Sequence, residues 1–202
     1  MDLGTRKKWD SAAGLYDFIG AYGPEKRWAP FKSRLFSGMA GNILFLAVGT
    51  GLDIASFPPG KEITGIDISP KMLARAGPRA AAYPGNLGLQ VMDVHEMEFP
   101  DASFDQIYTS CTFCSVPDPV KGLAALRRVL KPGGYLGMFE HTGSRCFPFN
   151  AMLNLMNPVA RHIGPEINRD TVSNVREAGF EITKVTNIFL DIVKTIEATA
   201  PE

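Results

Sequence analysis

Glycines 49 and 51 flank Thr50 immediately after the apolar run ILFLAV at 43–48. Glycine at such a point reaches positive φ and lets the backbone come close to a ligand, although many strand-to-helix turns use it for geometry alone. Asp67 closes a second run, EITGID, sixteen residues beyond Gly51. A carboxylate at a strand end accepts both hydroxyls of a ribose, as in nucleotide-binding α/β domains. Just ahead of Ser69-Pro70 it also suits a helix N-terminus. Asp93 closes a third run, LGLQVMD, and is either an acceptor for an adenine amino group or a turn cap. Three such positions on three successive strand ends point to one small-molecule site. The dinucleotide fingerprint requires a third glycine three residues after the second, where this chain has Ile54, and there is no Gly-Lys-Ser/Thr phosphate cradle. A ligand with adenine and ribose but no phosphate fits the set better, and S-adenosylmethionine is such a ligand.

Other residues offer acid–base or metal chemistry. His141 ends the run YLGMFEH. With an ordinary pKa of about 6.5 it suits a general base near neutral pH, or it is a hydrogen-bonded structural histidine. Glu140 is the alternative base. His95 and His162 read as structural. Cys111 and Cys114 form a Cys-x-x-Cys with no second pair and no histidine at metal spacing, which argues against zinc and for small buried side chains. No metal is expected.

The elements that must position these residues alternate. Helices are expected over 5–19 and 24–38, then strands over 43–48, 62–67, 87–93, 104–110 and 135–141, with helices over 70–82 and 118–130 between them. Lys131-Pro132-Gly133-Gly134 turns the last helix into the fifth strand. A helix over 169–178 and strands over 180–187 and 188–196 close the chain. Alternation of this kind means an α/β fold with a mostly parallel sheet. Residues 142–168, rich in Met, Phe, Pro and Asn, interrupt it and read as an inserted cap: either an apolar acceptor pocket (Phe147, Phe149, Met152, Leu153, Leu155, Met156) or core packed on the sheet edge. The whole is taken as one domain, with 1–40 a helical lid, 41–141 the binding core, 142–168 the cap and 169–202 the closing helix and strand pair.

Composition sets the outer limits. The 202 residues carry 21 acids against 21 Lys plus Arg and are 45% apolar, the profile of an ordinary globular domain. Zero net charge argues against a dedicated nucleic-acid binder and against disorder. No run reaches 18 apolar residues, MDLGTRKKWD lacks the apolar core of a secretory leader, and three cysteines fit a reducing cytoplasm. Residues 1–40 hold seven Lys/Arg against four acids, with Trp9, Tyr16, Phe18, Tyr22, Trp28, Phe31 and Phe36 interleaved. Such a segment either lies on an anionic membrane surface or closes over the ligand with its aromatics inward.

Taken together, these residues resemble the class I S-adenosylmethionine-dependent methyltransferases, in the branch of the ubiquinone/menaquinone and phospholipid enzymes. The similarity covers about 5–141 and is most specific over 91–141: an acid at the third strand end, Pro-Asp-x-Ser-Phe-Asp, Val-x-Asp-Pro and Arg-Val-Leu-Lys-Pro-Gly-Gly. Cys-Ser-Val-x-Asp-Pro and Glu-His are most similar to proteins that methylate small alkyl thiols, and Trp9-Asp10…Tyr16-Asp17 resembles the family's N-terminal helix, with Tyr16 over the cofactor. The resemblance implies a Rossmann-like, seven-stranded sheet whose last strand is antiparallel, with helices on both faces. It implies Ala47, Gly49, Thr50 and Gly51 at the methionine end, Asp67 on the ribose, Asp93 on the adenine, Ile68 and Met72 flanking the ring, a Val94 backbone donor, Ser110 and Cys111 near the cofactor amino group, and His141 or Glu140 at the acceptor. The acceptor is a thiol or sulfide, a lipid head group or a quinone. The first family motif departs at two points, Phe45 for its acid and Ala47 for its first glycine. Alanine replaces glycine there only at negative φ, and either neighbours such as Thr50, Asp53 or Tyr16 rebuild what the acid supplied or cofactor binding is weakened. A catalytically silent protein of the same fold, working through a partner or membrane, is the competing reading.

Overall fold

β1 (Asn42–Leu46) is an interior strand of a seven-stranded sheet of order β3-β2-β1-β4-β5-β7-β6. The computed structural model describes residues 1–21, 24–163 and 165–202, with the side chains of 18–21, 24–25 and 162–163 left out. Tyr22 therefore lies outside the described residues, as do the side chains of Phe18 and His162. The continuous apolar run of β1 serves two cores, because successive side chains alternate between faces. Leu44 and Leu46 join Ile66, Ile107, Leu123 and Met138 on one side. Ile43 and Phe45 join Phe36, Ile63, Leu73 and Phe139 on the other.

β2 (Glu62–Asp67) and β4 (Phe104–Ser110) pair parallel on either side of β1, and β3 (Asn86–Val91) extends the sheet beyond β2. β5 (Leu130–His141) pairs parallel with β4, and β7 (Val193–Thr199) runs antiparallel to both β5 and β6 (Glu181–Phe189). The last strand is antiparallel, as the resemblance implied. The Lys-Pro-Gly-Gly turn appears as a register shift inside β5: Leu130 faces Phe104, and the next regular pair is Tyr135 with Gln106.

Helix starts follow their caps. Ser69 caps α3 (Pro70–Ala81) by accepting from the Met72 amide at 3.1 Å, with Pro70 in the first turn. Asp118 and Asp170 cap α4 (Pro119–Val129) and α6 (Thr171–Glu177) in the same way. α1 (Leu3–Ala21) and α2 (Pro24–Phe36) precede the sheet. Trp28 packs on Phe31, Phe139 and Phe189, and Phe36 is fully buried, so these α2 aromatics turn inward.

Two expectations are corrected. The 142–168 stretch contains α5 (Phe149–Ile163): Leu153 is buried in the core with Phe149 packed against it, as the core alternative expected, whereas Phe147, Met152, Leu155 and Met156 are exposed and form neither a pocket nor core. The final turn falls at 190–192 rather than between 187 and 188, because Leu190 takes φ +51°. No glycine or asparagine marks that turn, and alternation alone does not locate it.

Ser69 also donates to Asp10 of α1 at 2.6 Å and is fully buried. Replacing it by alanine removes a cap and a charge-assisted hydrogen bond together. Ser69→Ala is expected to lower stability by about 2 kcal/mol, measured as a shifted urea midpoint at unchanged slope.

Candidate active site

The carboxyl ends of β1, β2, β3 and β4 open onto one cleft, the place where open α/β sheets hold their ligands. Gly49 forms its floor at φ +59°, with nothing within 4 Å of the place a Cβ would occupy. Its N–H donates to Asp67 Oδ2 at 2.8 Å, and Ser69 N–H donates to Oδ1 at 2.8 Å. One buried carboxylate thus ties the glycine loop to the start of α3. Burial pushes the Asp67 carboxyl above its ordinary value, against the pull of these two donors, and Asp10 adds to the rise.

Asp93 stands at the opposite end of the cleft. Its Oδ2 accepts from the Asp2 amide at 2.7 Å, and its Oδ1 accepts from the His95 amide at 3.0 Å and lies 3.1 Å from His95 Nδ1. Burial alone would raise this carboxyl, but the donors around it outweigh burial and hold it low. Ile68, Met72, Met92, Val94 and Val116 supply apolar wall. α1 forms the cover, with Asp2, Thr5, Trp9 and Tyr16 on the cleft and Trp9 edge-on to Tyr16 at 6.2 Å between centroids.

Ten of the twelve residues expected at the cofactor line this cleft: Tyr16, Ala47, Gly49, Asp67, Ile68, Met72, Asp93, Val94, Ser110 and Cys111. Two do not. The Cβ position of Gly51 lies 2.8 Å from Ile54 and 3.1 Å from Ala76, so its glycine serves packing on α3. Thr50 is buried beside it, and its carbonyl accepts from Arg79 at 2.6 Å. Ala47 contradicts the requirement for negative φ: it stands at +57°, a left-handed conformation costing about 1–2 kcal/mol for a residue with a Cβ. Phe45 packs among Phe36 and Phe57 on the opposite core, at 5.6 and 4.8 Å between centroids. Asp53, one of the expected substitutes for the lost acid, is held instead by Lys32 in a buried ion pair at 2.7 Å that fastens α2 to the glycine loop.

Neither expected base lines the cleft. Strand alternation puts Glu140 on the face of Met138 and His141 on the face of Phe139. Glu140 is fully buried and accepts from Thr109 Oγ1 at 2.8 Å, Thr112 N at 3.0 Å and Phe113 N at 3.1 Å. It therefore shapes the 111–113 wall from behind. His141 pairs with Val193 across the sheet, burial holds it below its ordinary value, and its Nδ1 is buried without a partner.

Cys111 is exposed to the cleft, at φ +50°, while Cys114 is buried and donates through Sγ to the Cys111 carbonyl at 3.4 Å. The protein packed around Cys111, then the Glu140 charge, pushes its thiol well up; burial and Glu140 push Cys114 up to about 12. Both remain thiols at neutral pH. No group of three or more His, Cys, Asp or Glu residues among the described residues is arranged to hold a metal. Sequence reasoning did not assign Asp2, Thr5, Thr112, Ser115 and Pro117 to the cleft. The 112–117 loop had a signal in its similarity to the family, whereas Asp2 and Thr5 had none, because only the folded chain brings α1 over Asp93.

Residues 44–138 match the family model described as a methyltransferase domain. The chain carries a methyltransferase domain. It is 34% identical over 150 residues to the ubiquinone/menaquinone biosynthesis C-methyltransferase UbiE of Geotalea daltonii, covering 69% of this chain and 64% of that protein. To thiol S-methyltransferase TMT1B of Rattus norvegicus it is 29% identical over 147 residues, covering 68% and 59%. It spans a little under two thirds of the length of these relatives. Among solved structures, phosphoethanolamine N-methyltransferase 2 of Haemonchus contortus, in complex with phosphomonomethylethanolamine and S-adenosylhomocysteine, superposes with a TM-score of 0.74 at 17% identity, over 99% of this chain and 61% of that one. At that identity the superposition speaks for the fold. The methyltransferase domain spans β1 to Met138, and every strand end that opens onto the cleft falls inside it.

Glu140, two residues beyond the matched stretch, gives the protein a measurable pH signature. Its folded pKa is raised by burial to about 7 from 4.5. Its contribution is then complete below the unfolded value and is lost as pH rises through about 7. Relative to Glu140→Gln, wild type is expected to lose up to about 3 kcal/mol of stability between pH 4.5 and 8, read from paired urea titrations across that range.

Proposed function

We propose that this chain transfers the methyl group of S-adenosylmethionine to a small apolar or lipid-like acceptor, with a thiol, a sulfide or a phospholipid head group favoured. One observation carries the reading: a single cleft gathers Gly49, Asp67 and Asp93 from three strand ends under the Tyr16 helix. The residues fit that ligand. Asp67 oxygens each accept one protein N–H and keep a lone pair for a ribose hydroxyl. The Ser110 hydroxyl is buried at the cleft without a partner. In this assignment Ala47 and Gly49 hold the methionine end, with the Ser110 and Cys111 backbone and Tyr16 beside it. Asp93 and the Val94 amide read the adenine edge, and Ile68 and Met72 flank the ring.

When bound, the cofactor supplies an already activated methyl group on a sulfonium. The protein then has to align donor and acceptor and keep water out, and alignment of this kind lowers a barrier by up to roughly 7–11 kcal/mol. Glu140 and His141 lie off the cleft, so acceptors that need little help from a base are favoured. A thiol of pKa near 8.5 is one, since it supplies some thiolate unaided. The similarity to thiol and quinone methyltransferases supports the same classes. Phe45 and the left-handed Ala47 favour a second reading, a silent protein of this fold acting through a partner or membrane.

Calorimetry with S-adenosylmethionine separates the two. Binding by wild type is expected, weakened about tenfold or more by Asp67→Asn, which removes a charged acceptor while keeping the side-chain shape. Methyl-labelled cofactor with a lysate supplied with sulfide and simple thiols then reports the acceptor as label in the headspace or in the organic phase. No binding by wild type would leave only the silent reading.

A further inference from the structure

His95 stands between two groups that can only accept. Its Nδ1 lies 3.1 Å from Asp93 Oδ1, and its Nε2 lies 2.9 Å from the Asp118 main-chain carbonyl. That carbonyl also takes the Gly122 amide at 3.0 Å, in the first turn of α4. Neither oxygen has a proton to give, since the donors around Asp93 keep it ionised. An imidazole with one ring proton serves one of these oxygens and turns a lone pair on the other. Only the imidazolium donates to both.

The charges around the ring suit a cation. Asp93 and Glu96 belong to its own turn, Glu96 being paired with the Met1 amino group. Asp2 of α1 is close enough for its charge and that of His95 to interact. From α4 come the Asp118 carboxylate, which accepts from the Lys121 amide at 3.0 Å, and the exposed Lys121.

The contact joins two parts of the cleft. Asp93 and Val94 line it at the third strand end, and Val116 and Pro117 line it just ahead of Asp118. His95 also orients Asp93 itself. Oδ1 takes the His95 amide and ring, and Oδ2 takes the Asp2 amide, so one acceptor direction remains, on Oδ2.

We propose that His95 is a positioning residue for the adenine end of the cleft: as an imidazolium it clamps the Asp93–Val94 turn to the Asp118 carbonyl and fixes the one acceptor direction of Asp93 left for the ligand. The proposal rests on the cofactor assignment above. Deprotonation breaks one of the two ring hydrogen bonds. The clamp is therefore complete at low pH and is lost as pH rises through the His95 titration.

The test pairs two measurements on the full chain. Nitrogen-15 spectra of histidine-labelled wild type are expected to show both ring nitrogens of His95 protonated at about pH 6, the signals being identified by their loss in His95→Gln. Calorimetry with S-adenosylmethionine then compares the two proteins from about pH 5.5 to about pH 8.5. Glutamine is neutral throughout and cannot reach both oxygens as a donor. Wild type is expected to bind about tenfold more tightly than His95→Gln at the acid end, and the advantage is expected to vanish at the alkaline end. Glu140 titrates in the same range but is common to both proteins, so it cancels in the ratio. A histidine with a merely structural role would give a ratio that pH does not move. A neutral His95 at pH 6 overturns the proposal, and so does a flat ratio. If circular dichroism shows His95→Gln misfolded, His95→Asn takes its place. A wild type that binds no cofactor at any pH sinks the methyl-transfer reading and the adenine role together. That result is distinct from failure of the clamp, in which cofactor binds while His95 is neutral or the ratio is flat.

Discussion

The Asp67 carboxylate is the fastening on which the cleft depends. It closes β2, receives the glycine loop that follows β1 and receives the first amide of the turn into α3. Ser69, placed by that contact, caps α3 and reaches Asp10 of α1. Three neighbouring elements and the cover are joined through two residues. A buried carboxylate stripped of these donors would be costly to keep charged, so the loop and the acid stabilise each other. The same acid is the proposed ribose acceptor, which makes ligand binding and the local fold parts of one hydrogen-bond network.

Opposite this fastening, the far wall is held from behind. Glu140, with no solvent contact, accepts from the 112 and 113 amides and fixes the chain just past β4. Cys111 at the head of that turn and Ala47 across the cleft both stand at positive φ without being glycine. Strain of about 1–3 kcal/mol per such residue persists only where the surroundings overdetermine the backbone. Here the Cys111 amide is committed to the Phe139 carbonyl at 2.7 Å, and the Val48 amide after Ala47 to the Ile66 carbonyl at 3.1 Å. The two strained residues border the same cleft from opposite walls.

The two helical segments outside the sheet differ in where their apolar side chains go. Trp28 and Phe36 of α2 pack into the core beside Phe139, Phe45 and Tyr108, and Trp9 and Tyr16 of α1 cover the cleft. α5 buries Leu153 against the core but leaves Met152, Leu155, Met156 and Val159 exposed.

Sequence alone determined the alternation of strands and helices, the helix starts near Ser69-Pro70 and Asp118, and the placing of Gly49, Asp67 and Asp93 at strand ends. These are local properties, written by side-chain periodicity and backbone sterics over a few residues. What needed the folded chain was direction. Whether a residue at a strand end looks into the cleft or behind it depends on register with partners far away in sequence. The pairing of His141 with Val193 and the burial of Glu140 behind the 112–113 amides took both expected bases off the site. Packing of Gly51 on Ala76 took that glycine off it as well. The cover over Asp93 comes from residue 2, ninety-one positions away. The left-handed Ala47 and the outward face of α5 belong to the same class, since both are set by long-range contacts that no local pattern encodes.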